Sequence, residues 1–238
     1  MEARLLAWHA SHAPDLPWRR RRDAYAVLVS EMMLQQTQAS RVAPRFEAWL
    51  RRWPTVESLA GATGADVIVE WQGLGYNRRA VQLHRAARVV AEHGWPADLT
   101  ELPGVGAYTS AAIRRFAWGE DVLPADTNVK RVAARTQFSF SARAAEALMD
   151  LGRGVCLARV PRCDACPLAP DCPSRGRRYE PLRKQSRFEG SFRERRARTL
   201  RLVAARAQRL SAVDREAVES LAADGLVRLD RGFVRLPT

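Results

Sequence analysis

The sequence predicts an all-α fold, on three observations. Apolar residues recur at helical spacing in segment after segment; glycines and prolines punctuate those segments; and strict apolar–polar alternation is scarce before residue 225. Residues 24–36, Ala-Tyr-Ala-Val-Leu-Val-Ser-Glu-Met-Met-Leu-Gln-Gln, read as an apolar helix ending in glutamines. From Arg41 to Trp53 the apolar residues Val42, Phe46, Trp49 and Leu50 fall at i, i+4, i+7 and i+8, the stripe of a half-buried helix. Pro54 and Thr55 stop it, and Thr55 with Ser58 opens a short one. Residues 64–71 and 78–93 supply two more, separated by Gly73-Leu-Gly-Tyr-Asn. Residues 100–119 read as a turn of helix, a Pro-Gly-Val-Gly turn and a longer helix. Asp126 stands where the N-cap of a helix over 129–136 belongs. Past the middle, residues 193–209 and 213–223 read as helices. Alternating residues from Gly225, around Asp230-Arg-Gly232, then signal a β-hairpin. Helix, helix, hairpin is the outline of a small winged-helix unit.

Composition narrows the function. The chain has 238 residues, enough for one large domain or two modest ones, and 47% hydrophobic with 27% charged residues is far from a disordered profile. The net charge is +13, and 37 of the 39 cationic residues are arginine, since Lys130 and Lys184 are the only lysines. Codon bias chooses arginine over lysine but does not by itself explain the excess over acids, so a polyanion, nucleic acid first, is the expected partner. No run of 18 apolar residues exists, which excludes a membrane-spanning helix. The first residues lack an apolar h-region with a cleavage site, so a cytoplasmic, nucleoid-associated protein is expected. In that reducing compartment, cysteines point to metal rather than to disulfides.

The four cysteines read Cys156-x6-Cys163-x2-Cys166-x5-Cys172, with proline after the third and fourth. One close pair between two looser ligands differs from the two tight pairs of a zinc ribbon, and a cubane with four iron corners tolerates such unequal loops. Spacing alone therefore ranks an iron–sulfur cluster first, zinc second and an unmetallated group third. In Leu102-Pro-Gly-Val-Gly, Gly104 and Gly106 permit a tight turn and close approach of backbone amides to a ligand, just before a helix N-terminus. That is the pattern of a helix-hairpin-helix, which holds DNA by its backbone; the plainer reading is a helix–helix corner.

Five motifs occur in order: Glu31 within Ser30-Glu-Met-Met-Leu-Gln-Gln-Thr-Gln, Gly73-Leu-Gly-Tyr, Leu102-Pro-Gly-Val-Gly-Ala-Tyr-Thr, Asp126 within Ala-Asp-Thr-Asn-Val-Lys-Arg-Val, and the 6-2-5 cysteine loop. Together, over about residues 14–175, they resemble the helix-hairpin-helix superfamily of DNA glycosylases with a [4Fe–4S] cluster. Within it they resemble the branch that removes adenine opposite 8-oxoguanine or guanine. The resemblance implies a two-lobed fold. One lobe comprises 1–22 and 120–175 and carries the cluster loop, 156–172; the other comprises 23–119. A basic linker, 176–187, and the small tail, 188–238, follow. It also implies mismatched duplex DNA as partner, no membrane, no nucleotide cofactor and a monomer.

Breaking an N-glycosidic bond leaves an oxocarbenium-like sugar and an anionic base, which calls for an acid at the base and a negative charge near the sugar. The resemblance gives Glu31 the first role, within an apolar helix whose surroundings favour the protonated acid, and Asp126 the second. Outside their motifs, Glu31 reads as a surface helix glutamate and Asp126 as a plain N-cap. Tyr108 stands where strand-cutting relatives carry a Schiff-base lysine; a phenol forms no imine, so a monofunctional enzyme is expected. Trp18, Arg19 and Leu34 match the pocket for the flipped base. Gln36 and Tyr76 match residues that wedge into the duplex, and Arg159 and Arg162 are expected to meet phosphates.

The sequence departs from that branch in three places. Asn77 follows Tyr76 where a second tyrosine is common. The stretch between Arg135 and Ala147 is shorter by roughly a helix. The large C-terminal domain that reads 8-oxoguanine is replaced by 188–238, whose Phe188-Glu-Gly-Ser-Phe-Arg-Glu-Arg-Arg resembles abbreviated actinobacterial-type tails. The rival readings are a glycosylase for thymine or uracil opposite guanine, or for hypoxanthine, and a non-catalytic DNA-binding relative. Glu31 argues against the thymine reading, whose representatives lack that acid.

Overall fold

The structure, a computed structural model, describes residues 1–180 and 187–238; part of the expected basic linker, 181–186, lies outside the described residues. The chain folds as helices α1 (Glu2–His12), α2 (Pro17–Arg20), α3 (Ala24–Leu34), α4 (Ala39–Arg52), α5 (Val56–Ala60), α6 (Gly64–Trp71), α7 (Arg78–His93), α8 (Ala107–Phe116), α9 (Thr127–Thr136), α10 (Ala145–Gly154), α11 (Phe192–Ala205) and α12 (Arg215–Ala223). Strands β1 (Gln208–Arg209), β2 (Arg228–Asp230) and β3 (Phe233–Arg235) form one antiparallel sheet in the order β1-β3-β2. The all-α expectation holds for the body of the chain, with this small sheet at its end. Among the described residues no helix is long and apolar enough to cross a membrane.

The chain divides into two compact units. The first comprises Met1–Val27 and Ala107–Lys184. Its core joins Leu5 of α1, Val129 and Val132 of α9, Leu148 and Leu151 of α10, and Leu168 of the cysteine segment. Gly152 lets α10 approach α9 closely, because a Cβ there would stand 2.5 Å from Asn128 Cβ. The connection that is short in the sequence is compact and anchored. Gln137 ends α9 in the left-handed conformation, Phe138 and Phe140 pack edge to face at 4.8 Å, and Ser141 donates from its amide and hydroxyl to Glu2 at 2.8 and 2.6 Å. Those two hydrogen bonds hold the Glu2 carboxyl below the usual carboxylate range. At the other end of α1, the buried Asp150 is hydrogen-bonded to His9 at 2.9 Å and Arg153 at 2.8 Å and forms an ion pair with Arg19 at 2.9 Å.

The second unit comprises Leu28–Gly106 and Gln185–Thr238. Trp49 packs edge to face against Trp53 at 4.7 Å and Trp71 at 5.5 Å, joining α4 to α6. Thr55 and Ser58 open α5 as expected, and they do so through a capping box. The tail has its own core, Leu200, Val203, Val218, Leu221 and Val234, but this core continues into Ile68 of α6. The segment 188–238 therefore groups with the middle of the chain, and the divisions fall at 27/28 and 106/107.

Two expectations change in detail. The helix expected over 193–209 ends at Ala205; Arg206 is extended (φ −168°) and leads into β1, a two-residue strand too short to show alternation. Helices α1, α2 and α10 were not among the expected elements. In α1, polar and small residues blur the apolar stripe, and the helix that it packs against, α10, lies far along the chain.

Candidate functional site

The four cysteines are free thiols, and all four line one pocket of about 400 Å³, its open mouth included, with Leu151, Leu168 and Val132 in its wall. Among the described residues no three Cys, His, Asp or Glu side chains converge as ligands of a single ion. The thiols are set around a cavity instead, a donor set that suits a cluster with separate metal corners. Burial first, and then the neighbouring Cys156, Cys172 and Cys163, push the Cys166 thiol up. N–H groups already point at sulfur: Arg135 Nη1 lies 3.4 Å from Cys156 Sγ, and the Gly176 amide 3.2 Å from Cys163 Sγ.

Two arginines one turn apart on α9 hold the start of that loop. Arg131 donates to the carbonyls of Cys156 at 2.8 Å and Gly152 at 2.7 Å; Arg135, almost wholly buried, donates to Leu157 and Ala158 at 2.7 Å and stacks on Tyr179 at 3.8 Å. Arg131 also donates to Asn128 Oδ1 at 2.7 Å, and Asn128 Nδ2 donates to Asp126 Oδ2 at 2.8 Å. The other Asp126 oxygen accepts from the Val129 amide at 2.7 Å, the expected N-cap of α9. Donors on both oxygens fix the direction of this half-buried carboxylate. Sequence reasoning missed Asn128, Arg131, Arg135 and Gly152. A pair of arginines at i, i+4 just ahead of a cysteine loop was the available signal, masked by arginine everywhere else.

The second unit carries Glu31. Every residue of α3 from Tyr25 to Met33 is buried, and Glu31 is 7% exposed, beside Val27, Leu28 and Met32 on the same helix. Leu34 is half-buried at the helix end, and Gln36 follows, exposed, at φ 55°. The end of α3 is fastened by Arg79 of α7, which is 6% exposed. Its guanidinium donates to the carbonyls of Met32 (2.7 Å), Met33 (3.1 Å) and Gln35 (2.6 Å), and across to Leu74 (3.3 Å) and Gly75 (3.0 Å) and to the Thr37 hydroxyl (3.1 Å). Burial lowers its pKa to about 10, so it stays charged at neutral pH. One side chain thus binds the turn bearing Gln36 to the loop bearing Tyr76, which is 46% exposed at φ 46°.

The remaining expected residues are placed as follows. Gly104 adopts φ 80°, and a Cβ there would meet Met32 Cε at 2.8 Å and Gln82 Cβ at 2.9 Å. Gly106, expected to share that role, has no positive φ and nothing within 4 Å of a Cβ, so its bareness serves open space rather than the fold. Tyr108 is half-buried in the first turn of α8. Trp18 is half-buried in α2; beside it Arg19 already holds Asp150 at 2.9 Å and the Pro14 carbonyl at 3.2 Å. Its Nε lies 3.4 Å from Glu146 Oε1, an ion pair without hydrogen-bond geometry. Arg159 and Arg162 are exposed in the cysteine loop, Arg162 reaching the Gly154 carbonyl at 3.5 Å.

Known proteins resemble this chain over much of its length. The adenine DNA glycosylase of Mycolicibacterium smegmatis is 43% identical over 198 residues, 69% of this chain and 66% of the relative. The human adenine DNA glycosylase is 38% identical over 212 residues, 73% of this chain and 39% of the relative. This chain thus spans just under two thirds of the first relative and far less of the second. A solved thermostable thymine-DNA glycosylase superposes with a TM-score of 0.66 at 26% identity, over 72% of this chain and 93% of that one. A family model described as HhH-GPD superfamily base excision DNA repair protein matches residues 29–154, more than half of the sequence. The chain belongs to the HhH-GPD superfamily of base excision DNA repair proteins.

Proposed function

We propose that this chain is a monofunctional DNA glycosylase that hydrolyses the N-glycosidic bond of adenine mispaired with 8-oxoguanine or guanine. The observation that carries the reading is Glu31, a carboxyl group buried in an apolar helix, in a chain 43% identical to an adenine DNA glycosylase. A carboxyl group sheltered from water is placed as a general acid for the departing base needs. Glu31 gives that proton to adenine as the bond lengthens. Asp126, aimed by Val129 and Asn128, supplies negative charge to the sugar cation and orients the attacking water. Tyr108 offers no amine for an imine, so the product is an abasic site in an intact strand.

Mismatched duplex DNA is the partner, bound by a monomer without a nucleotide cofactor in the cytoplasm or nucleoid. Trp18, Arg19 and Leu34 are assigned to the flipped base, and Arg19 is anchored on Asp150. Gln36 and Tyr76 fill the gap in the duplex. The Gly104–Gly106 turn meets a phosphate through its amides, and Arg159 and Arg162 meet others. Cys156, Cys163, Cys166 and Cys172 would hold a [4Fe–4S] cluster, and their shared pocket and N–H···S donors fit one. Such a cluster supplies a rigid cross-link for the loop, and no step of base release runs through it.

The test is base release from duplexes carrying A:8-oxoguanine, A:G, T:G, U:G and hypoxanthine:T, followed by alkali. Release of adenine, with strand breaks only after alkali, is expected. Glu31→Gln should keep binding to A-containing mismatches and lose release by at least ~100-fold. Release of thymine or uracil but not adenine would favour the activity named for the thymine-DNA glycosylase neighbour. Strand cutting without alkali would remove the monofunctional assignment.

A further inference from the structure

The arginines of the C-terminal segment fall into two groups. On α11 and α12 three of the six arginines are matched with acids: Arg195 with Asp214 at 2.9 Å and Glu216 at 2.6 Å, Arg196 with Asp224 at 2.5 Å, Arg215 with Glu219 at 3.1 Å. On the small sheet the pattern reverses. Val234 points into the core, so Phe233 and Arg235 point outward, and the register sets Arg228 directly opposite Arg235 and Arg209 directly opposite Phe233. The ring of Phe233 is half-buried on this outer face, flanked by the guanidinium groups of Arg209 at 5.8 Å and Arg235 at 5.5 Å. Among the described residues Arg209, Arg228 and Arg231 have no acidic partner, and Arg235 has only Asp230 at 3.6 Å.

Two features of this face run against the needs of the sheet. Like charges directly opposite each other weaken a strand pair, yet Arg228 and Arg235 are so placed. The β2–β3 turn puts Arg231 at φ 47° before Gly232 at φ 77°, where turn chemistry favours Asn, Asp or Gly. An arginine-rich genome raises the number of arginines but does not choose these two positions, one opposite a like charge and one at a left-handed turn residue.

We propose that the outer face of the β1-β3-β2 sheet, with Arg231 at its tip, is a second contact for the phosphate backbone of duplex DNA, independent of base sequence. Guanidinium groups on a ribbon fit phosphates through paired N–H donors. A two-stranded ribbon also has the width to follow a groove. A single-strand platform would need several stacking rings, and this face offers one. The inference rests on the DNA-binding part of the functional reading, and concerns grip rather than base choice.

The experiment uses the full chain and compares Arg228→Gln/Arg231→Gln with a charge-matched control, Arg195→Gln/Arg215→Gln, both first checked for unchanged melting. Binding to an undamaged duplex is followed by fluorescence anisotropy from about 50 to 200 mM salt. The sheet variant is expected to bind ~10-fold more weakly at about 0.1 M salt. Its plot of log K against log salt should be shallower by roughly 1–2, from about 0.9 per lost phosphate contact, while the control keeps the wild-type slope. The rate of base release at saturating enzyme should not change. Equal behaviour of the sheet variant and wild type, or equal loss in both variants, would overturn the proposal. A wild type that bound no duplex would instead sink the functional reading, and this inference with it.

Discussion

Gly104 and Gly106 stand two residues apart in one turn and answer to different demands. At Gly104 the backbone is left-handed, and a Cβ would press on Gln82 Cβ, which cannot swing away as Met32 Cε can. Gly104→Ala should therefore cost about 1–3 kcal/mol in denaturant unfolding. Gly106→Ala meets open space and should leave stability within about 0.5 kcal/mol, while weakening duplex binding if its bareness serves an approaching phosphate. Unfolding and anisotropy on the two variants separate the roles. The sequence treated these glycines alike, because spacing reveals that a turn needs glycine but not which one the fold requires. The same holds for Glu31 and Asp126: motif order marked both, and only packing showed one buried in a helix and the other aimed by two donors.

At the scale of elements, most helices were legible because their stripes are regular: Val42, Phe46, Trp49 and Leu50 of α4 are all buried. What was hidden is how one element fastens another. Arg78-Arg79 reads as a pair of surface charges at a helix start, yet Arg79 is buried and donates to six carbonyl groups from two segments. Burying a guanidinium is favourable only with its partners in place, and losing it leaves those carbonyls dry. Arg79→Met should lower stability by about 3 kcal/mol and loosen the turns at Gln36 and Tyr76 together. Arg79→Lys should recover only part of that, since one ammonium cannot reach both segments as a planar fork does. Hydrogen exchange of residues 35–37 and 73–76 checks the coupling; protection lost in one turn alone would contradict it.

Over the whole molecule, the charge of +13 is shared among structural and exposed roles in a way composition could not show. Arg19, Arg79, Arg131 and Arg135 are spent inside the fold on carbonyls and carboxylates, whereas Arg159, Arg162 and the arginines of the sheet face outward. The cysteine segment depends most on such internal arginines. Among the described residues from 156 to 180 there is no α-helix, and Leu168 is the one fully buried side chain. Two α9 arginines and one apolar anchor are little to order a loop of that length, so metal should contribute a large share. Protein purified in air should be brown with about four irons per chain. Cys166→Ser should lose that colour, loosen residues 156–180 in hydrogen exchange and weaken duplex binding by ~10-fold or more, with little change in helical circular dichroism. A colourless, zinc-loaded wild type would replace the cluster with a single-ion site. A rigid, metal-free loop would mean that the arginines alone suffice.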